Sequence, residues 1–99
     1  MARFDVYRGI GEADLLLDCQ SDLLAMLNTR FVVPLMKAAH APQPARRLNP
    51  VFEIDGASYV MVTQFAATLA RRDCGAVVGS LAGDEASIIN ALDMLISGY

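Results

Sequence analysis

The chain has 99 residues, 55% of them apolar, a formal net charge of −3 and a single histidine, with a pI near 4.8 and a mean hydropathy of +0.37. This length suits one domain over residues 1–99, which buries only roughly 60–65% of its unfolded surface, so part of the apolar excess stays exposed or faces a partner, and it reads as a homodimer ahead of an apolar-surfaced monomer. The acidic balance argues against direct nucleic-acid binding, which draws most of its affinity from phosphate neutralisation; the doublets Arg46-Arg47 and Arg71-Arg72 read as solvated.

Phe4-Asp5-Val6-Tyr7 alternates with period two and predicts a first strand. Gly9-Ile10-Gly11 breaks it. Leu15-Leu16-Leu17-Asp18-Cys19 is too short for a stable helix and reads as a second strand, buried on both faces and paired with the first. Gln20-Ser21-Asp22 turns the chain; Leu23 to Leu27 is open between an irregular loop and a helical turn. Arg30-Phe31-Val32-Val33-Pro34-Leu35 predicts a strand, with Pro34, which has no N–H to donate, at an edge, a bulge or a strand end. Lys37 to Pro50 holds three prolines and the histidine and is expected to be a surface loop and the most mobile part.

Val51 to Val62 predicts a hairpin around Asp55-Gly56, two residues that tolerate the positive φ of a type I′ turn. Thr63 to Leu69 extends or follows the sheet, Arg71-Arg72-Asp73 turns, and Ala76-Val77-Val78 offers a last short strand. A helix starts at Gly83-Asp84-Glu85, where acidic side chains suit the positive end of its dipole. Ile88, Ile89, Leu92, Leu95 and Ile96 form a stripe expected to pack on the sheet, and Gly98 ends the helix. Strands followed by one C-terminal helix predict an α+β, mostly β, barrel-like domain with antiparallel pairing.

Catalytic chemistry is hard to assemble from these residues. His40 is alone in the proline loop, so no Ser-His-Asp or Cys-His set forms around it. No Gly-rich phosphate cradle and no metal-ligand spacing occurs, so no cofactor and no metal is expected. Asp18, Asp22, Asp55, Asp73 and Asp84 sit mostly at strand ends and turns, where local backbone hydrogen bonding accounts for them. Cys19 and Cys74 are far apart among aliphatic residues and read as reduced, buried, structural thiols. The N-terminus is charged from the start, unlike a signal peptide, and no apolar run approaches the ~20 residues of a membrane span. A soluble, cytoplasmic, non-enzymatic binding module is the expectation.

Several motifs resemble one family. Leu17-Asp18-Cys19-Gln20-Ser21-Asp22-Leu23-Leu24 is similar to the "VDVQSD" signature of CcdB toxins, followed there by two aliphatic residues. Arg30-Phe31-Val32-Val33-Pro34-Leu35 resembles the family's "R-x-V-x-P-L" strand, and Leu48 to Gly56 resembles the hairpin of its chromosomal members. The opening Phe4-x-Val6-Tyr7 and the closing Gly98 plus one residue also fit, so the likeness runs end to end. It implies an SH3-like barrel of the CcdB/MazF type with an antiparallel sheet and a C-terminal helix. It further implies a homodimer that binds the GyrA subunit of DNA gyrase, traps the cleaved-DNA complex and kills the cell. A CcdA-like antitoxin would neutralise it through a disordered tail. Toxin and antitoxin together would repress their own operon, with DNA contacted only through the antitoxin.

Carried over residue by residue, the resemblance assigns gyrase binding to Leu23 and Leu24 after the signature, and to Asp93, Ser97, Gly98 and Tyr99 at the helix end. Well-known members have tryptophan in place of Ser97, asparagine in place of Asp93 and a terminal aliphatic in place of Tyr99. An interfacial tryptophan often contributes ~2 kcal/mol or more, roughly a thirtyfold change in affinity. Arg8, Arg46 and Arg47, near the first hairpin and the long loop, are the candidates for attracting an acidic antitoxin tail. Two rival readings follow. One is a non-toxic homologue that keeps antitoxin binding, favoured by Ser97. The other is a MazF-like ribonuclease on the same fold, disfavoured by the acidic pI and the single histidine.

Overall fold

A computed structural model describes residues 1–9 and 14–98; Tyr99 and most of the predicted breaker at Gly9-Ile10-Gly11 lie outside the described residues. Among the described residues seven strands and one α-helix follow in chain order: β1 Asp5–Arg8, β2 Leu15–Asp18, β3 Thr29–Lys37, β4 Val51–Ile54, β5 Ala57–Met61, β6 Ala67–Ala70, β7 Val77–Ser80 and α1 Glu85–Ser97. Neighbours pair antiparallel in the order β4-β5-β3-β2-β1-β7, with β6 also on β3. The sheet curls into a half-barrel that carries the C-terminal helix, the mostly β, α+β architecture expected. The predicted hairpin is β4–β5, turned by Asp55 at φ 51° and Gly56 at φ 81°, the left-handed pair that a type I′ turn requires.

The long strand β3 organises the rest. One edge pairs with β2 from Val32 to Leu35. The other edge is shared: Thr29 to Val32 pair with β6, and Leu35 to Lys37 with β5. Pro34, predicted at an edge, a bulge or a strand end, lies inside a nine-residue strand, where the pairing passes from β6 to β5. Its carbonyl accepts from Val62 N at 3.0 Å. The N–H it lacks would point to that same side, where β5 gives way to β6 through the turn Thr63–Phe65, so the ladder loses little there.

Alternation divides the sheet's side chains between two faces. Val6, Leu17, Val33 and Leu35 turn to one side and pack with Phe4, Cys19, Phe52, Met61 and Leu81 against Ile88, Ala91 and Leu92 of α1. Fully burying a side chain such as Ile88 contributes about 1.5–3 kcal/mol. The predicted helical stripe needs correction at its end. Ala91 belongs to the buried face, whereas Leu95 is 42% and Ile96 77% exposed, so the last turn of α1 is left largely uncovered. Gly98 closes the helix as predicted, at φ 79°, with its N–H donating to the Met94 carbonyl at 3.0 Å. No helix among the described residues is long and apolar enough to cross a membrane.

Candidate functional site

On the sheet's other face a polar cluster sits where the sequence shows only a strand end. Asp18 and Arg30 are both fully buried. Asp18 Oδ2 accepts from Arg30 Nε at 2.9 Å and from the Tyr7 hydroxyl, and Arg30 Nη2 lies 2.7 Å away as an ion pair. Asp18 Oδ1 accepts from Gln20 N at 3.0 Å. The local backbone bond expected of Asp18 is thus present, but the larger part of its role is to tie β1, β2 and β3 together. Arg30 Nη1 has no hydrogen-bond partner among the described residues. Burial first, then the Asp18 hydrogen bond, pushes the Tyr7 hydroxyl well above its usual range. Burial and then the Asp18 charge push the Cys19 thiol up to about 12. Both cysteines are free, but Cys74 is only half-buried, not buried as predicted, because it lies on the connector that crosses this face.

Next to the cluster, Gln20 holds the turn that carries Leu23 and Leu24. Its Nε2 donates to the Leu24 carbonyl and its Oε1 accepts from Phe31 N, both at 2.9 Å. Leu23 to Leu27, left open between loop and helical turn, is a short 3-10 turn over Asp22–Leu24 and then loop. Ser21 Oγ accepts from Leu23 N at 3.2 Å, satisfying one end of the turn. With its backbone fixed, the turn presents Leu23 at 84%, Leu24 at 48%, Met26 at 71% and Leu27 at 42% exposure. Met26 and Leu27 continue the apolar run without helical periodicity, the sequence signal that marks them.

The second candidate patch is the end of α1. Asp93, Ser97 and Gly98 are exposed there, beside Leu95 and Ile96; Tyr99 lies outside the described residues. Ile96, predicted to pack inward, is the most exposed large apolar side chain of the helix. The two patches are not adjacent in one protomer. Arg3 N donates to Asp22 Oδ1 at 2.8 Å, and Arg3 Nη1 stands 3.8 Å from Glu85 at the start of α1. The last residue of the helix, Ser97, is twelve residues on, roughly 18 Å along the axis.

The three arginines assigned to an antitoxin occupy two places. Arg8 ends β1, exposed, where Gly75 passes so close that a Cβ there would stand 2.9 Å from the Arg8 carbonyl oxygen. Arg46 and Arg47 are exposed on the long loop, with Arg47 at φ 67°. Lys37 N donates to Asp14 Oδ2 at 2.8 Å, which brings the start of that loop to the end of the first hairpin. Beyond the arginines, buried Asn49 fastens the loop by donating to the Met61 carbonyl at 3.0 Å and to Gln64 Oε1 at 2.8 Å. Among the described residues no group of three or more His, Cys, Asp or Glu side chains is placed to hold a metal ion.

Comparison with known proteins agrees with this architecture. A family model described as the CcdB protein matches residues 3–98. No curated protein matches the chain. With nearly the whole chain aligned, from the first strand to the αL cap of the helix, the protein belongs to the CcdB family, a family of gyrase poisons and not of enzymes.

Proposed function

We propose that the protein is the toxin of a type II toxin–antitoxin pair, a cytoplasmic homodimer that docks on GyrA and holds gyrase on cleaved DNA. The observation that carries this reading is the pairing of family membership with two rigidly mounted, solvent-facing apolar patches, Leu23-Leu24 and the end of α1. A soluble protein rarely leaves such side chains exposed without a partner. A two-fold axis that brings two helix ends together would present Asp93, Ser97, Gly98 and Tyr99 twice, matching a two-fold partner. Docking would favour the DNA-cleaved state of gyrase by its preference for that state. A CcdA-like antitoxin, attracted by Arg8, Arg46 and Arg47, would relieve the block and supply all contact with DNA.

Titration of the purified protein against the breakage-reunion fragment of GyrA tests this. Wild type is expected to bind and to accumulate cleaved DNA with the holoenzyme. Ile96→Asp and removal of Tyr99 should weaken binding without lowering the melting temperature, and Ser97→Trp should tighten it. Equal behaviour of all four would remove the helix end from the site. A second reading, an antitoxin-binding homologue without toxicity, is favoured by the small polar Ser97 where an aromatic anchor is expected. It predicts antitoxin binding with no effect on growth.

A further inference from the structure

We infer that Arg71 and Arg72 form a docking site for a carboxylate-bearing peptide segment, distinct from the arginines assigned above to the antitoxin and adjoining the turn that carries Leu23 and Leu24. They line an open cleft of about 510 Å³ whose other walls are Met1 and Asn28. Both arginines are exposed, on the turn Arg71–Asp73 that follows β6. The walls are built. Arg71 N donates to the Asn28 carbonyl at 2.7 Å and Arg71 Nη1 to the Ala25 carbonyl at 3.2 Å. On the far side, the Arg3 N to Asp22 bond lays the N-terminal segment along the same loop.

Neither arginine stands in an ion pair; those among the described residues are Arg3–Glu85 and Arg30–Asp18. Arg72 makes no hydrogen bond among them either. Two adjacent guanidiniums, that of Arg72 without a partner among the described residues, are thus held in a cleft of a chain whose net charge is −3. Their planar N–H forks suit carboxylates, which they grip in bidentate fashion. A nucleic acid also offers oxyanions, but it needs many cations in a row, and the cleft presents two. Apolar side chains are at hand: Met1, which lines the cleft, is 41% exposed, and Met26 and Leu27, both exposed, immediately precede Asn28 in the chain. The segment that fits alternates acidic and aliphatic residues, its carboxylates on the arginines and its aliphatic side chains over Met26 and Leu27.

Calorimetric titration of the full chain with a synthetic peptide of alternating glutamate and leucine tests the assignment. Wild type should bind, more weakly as salt rises. Arg72→Gln, which removes no contact made on folding, should keep the wild-type melting temperature and bind about tenfold more weakly. Lys37→Gln, at an exposed cation outside the cleft, should bind like wild type, and a glutamine–leucine peptide should bind at least about tenfold more weakly than the acidic one. The site is refuted if the acidic peptide does not bind, if Arg72→Gln binds it as wild type does, or if the uncharged peptide binds equally. Tighter binding of a single-stranded oligonucleotide than of the peptide also refutes it.

Discussion

Arg30 cannot reach water, so its charge depends on Asp18. Both side chains have no exposed surface, and one carboxylate meets Arg30 Nε, Arg30 Nη2, the Tyr7 hydroxyl and Gln20 N. Asp18→Asn keeps the size but removes the charge and turns an amide N–H₂ toward groups that are already donors. Breaking a buried pair from one side typically costs about 3–5 kcal/mol, because the remaining charge stays desolvated. For a domain of this length, each kcal/mol lowers the melting temperature by roughly 4–8 °C. A fall of roughly 12–40 °C is therefore expected, a large part of a total stability of about 5–15 kcal/mol. Replacing the set together, Asp18→Leu with Arg30→Met and Tyr7→Phe, removes the charges and the orphaned hydroxyl and should recover most of the loss. Thermal and urea unfolding followed by circular dichroism measures both. A single Asp18→Asn variant that melts within a few degrees of wild type, with the same urea slope, would falsify the claim that this pair clamps β1, β2 and β3.

Alkaline pH should destabilise the protein in a defined window. The Cys19 thiol is raised from 9.0 to about 12 by burial, then by Asp18, so the unfolded chain ionises first; stability is intact below about pH 9 and falls as pH rises toward 12. Cys19→Ala should flatten the loss of melting temperature between pH 9 and 11, at the cost of some core packing. Native Cys19 should also react with a thiol reagent at pH 8 more slowly than half-buried Cys74, as mass spectrometry of partly labelled protein would show. Gly98→Ala should cost about 1–2 kcal/mol in thermal unfolding, because φ 79° crowds a Cβ against the backbone.

The fold was legible where one signal sufficed. Alternation marked β1, Asp55-Gly56 marked the β4–β5 turn, and Gly98 marked the end of α1. Pro34 was harder to place because a missing N–H penalises a strand only on the side where a donor is needed. That side is decided by β5 and β6, which lie far along the chain. Leu95 and Ile96 have flawless helical spacing, yet spacing reports an angle around the axis and not how much of the helix is covered. Asp18 and Arg30 look like ordinary surface charges twelve residues apart. Only the register Asp18↔Val32 places β2 and β3 so that the two side chains share a face and meet. The exposed leucines of the candidate site were named through resemblance to a family; periodicity alone does not separate an exposed apolar turn from a buried one.

Gln20 links the buried cluster to that turn, which makes it a test of whether rigidity matters to docking. Its amide spans from Phe31 N on β3 to the Leu24 carbonyl, and its own N–H rests on Asp18. Gln20→Ala leaves the partly buried Phe31 N–H without its side-chain partner, a loss of about 1–3 kcal/mol, and frees the chain from Leu24 to Leu27. If the turn must be held in place to dock, affinity for the GyrA fragment should fall while the rest of the sheet keeps its amide protection. Hydrogen exchange should then accelerate at Leu24, Ala25 and Leu27, whose N–H groups bond within the turn, and Gln20→Glu, which still accepts from Phe31 N, should lose less affinity than Gln20→Ala. Faster exchange in the turn with unchanged affinity would mean that the leucines dock by exposure alone, and the chain from Asp18 through Gln20 to Leu24 would belong to folding only.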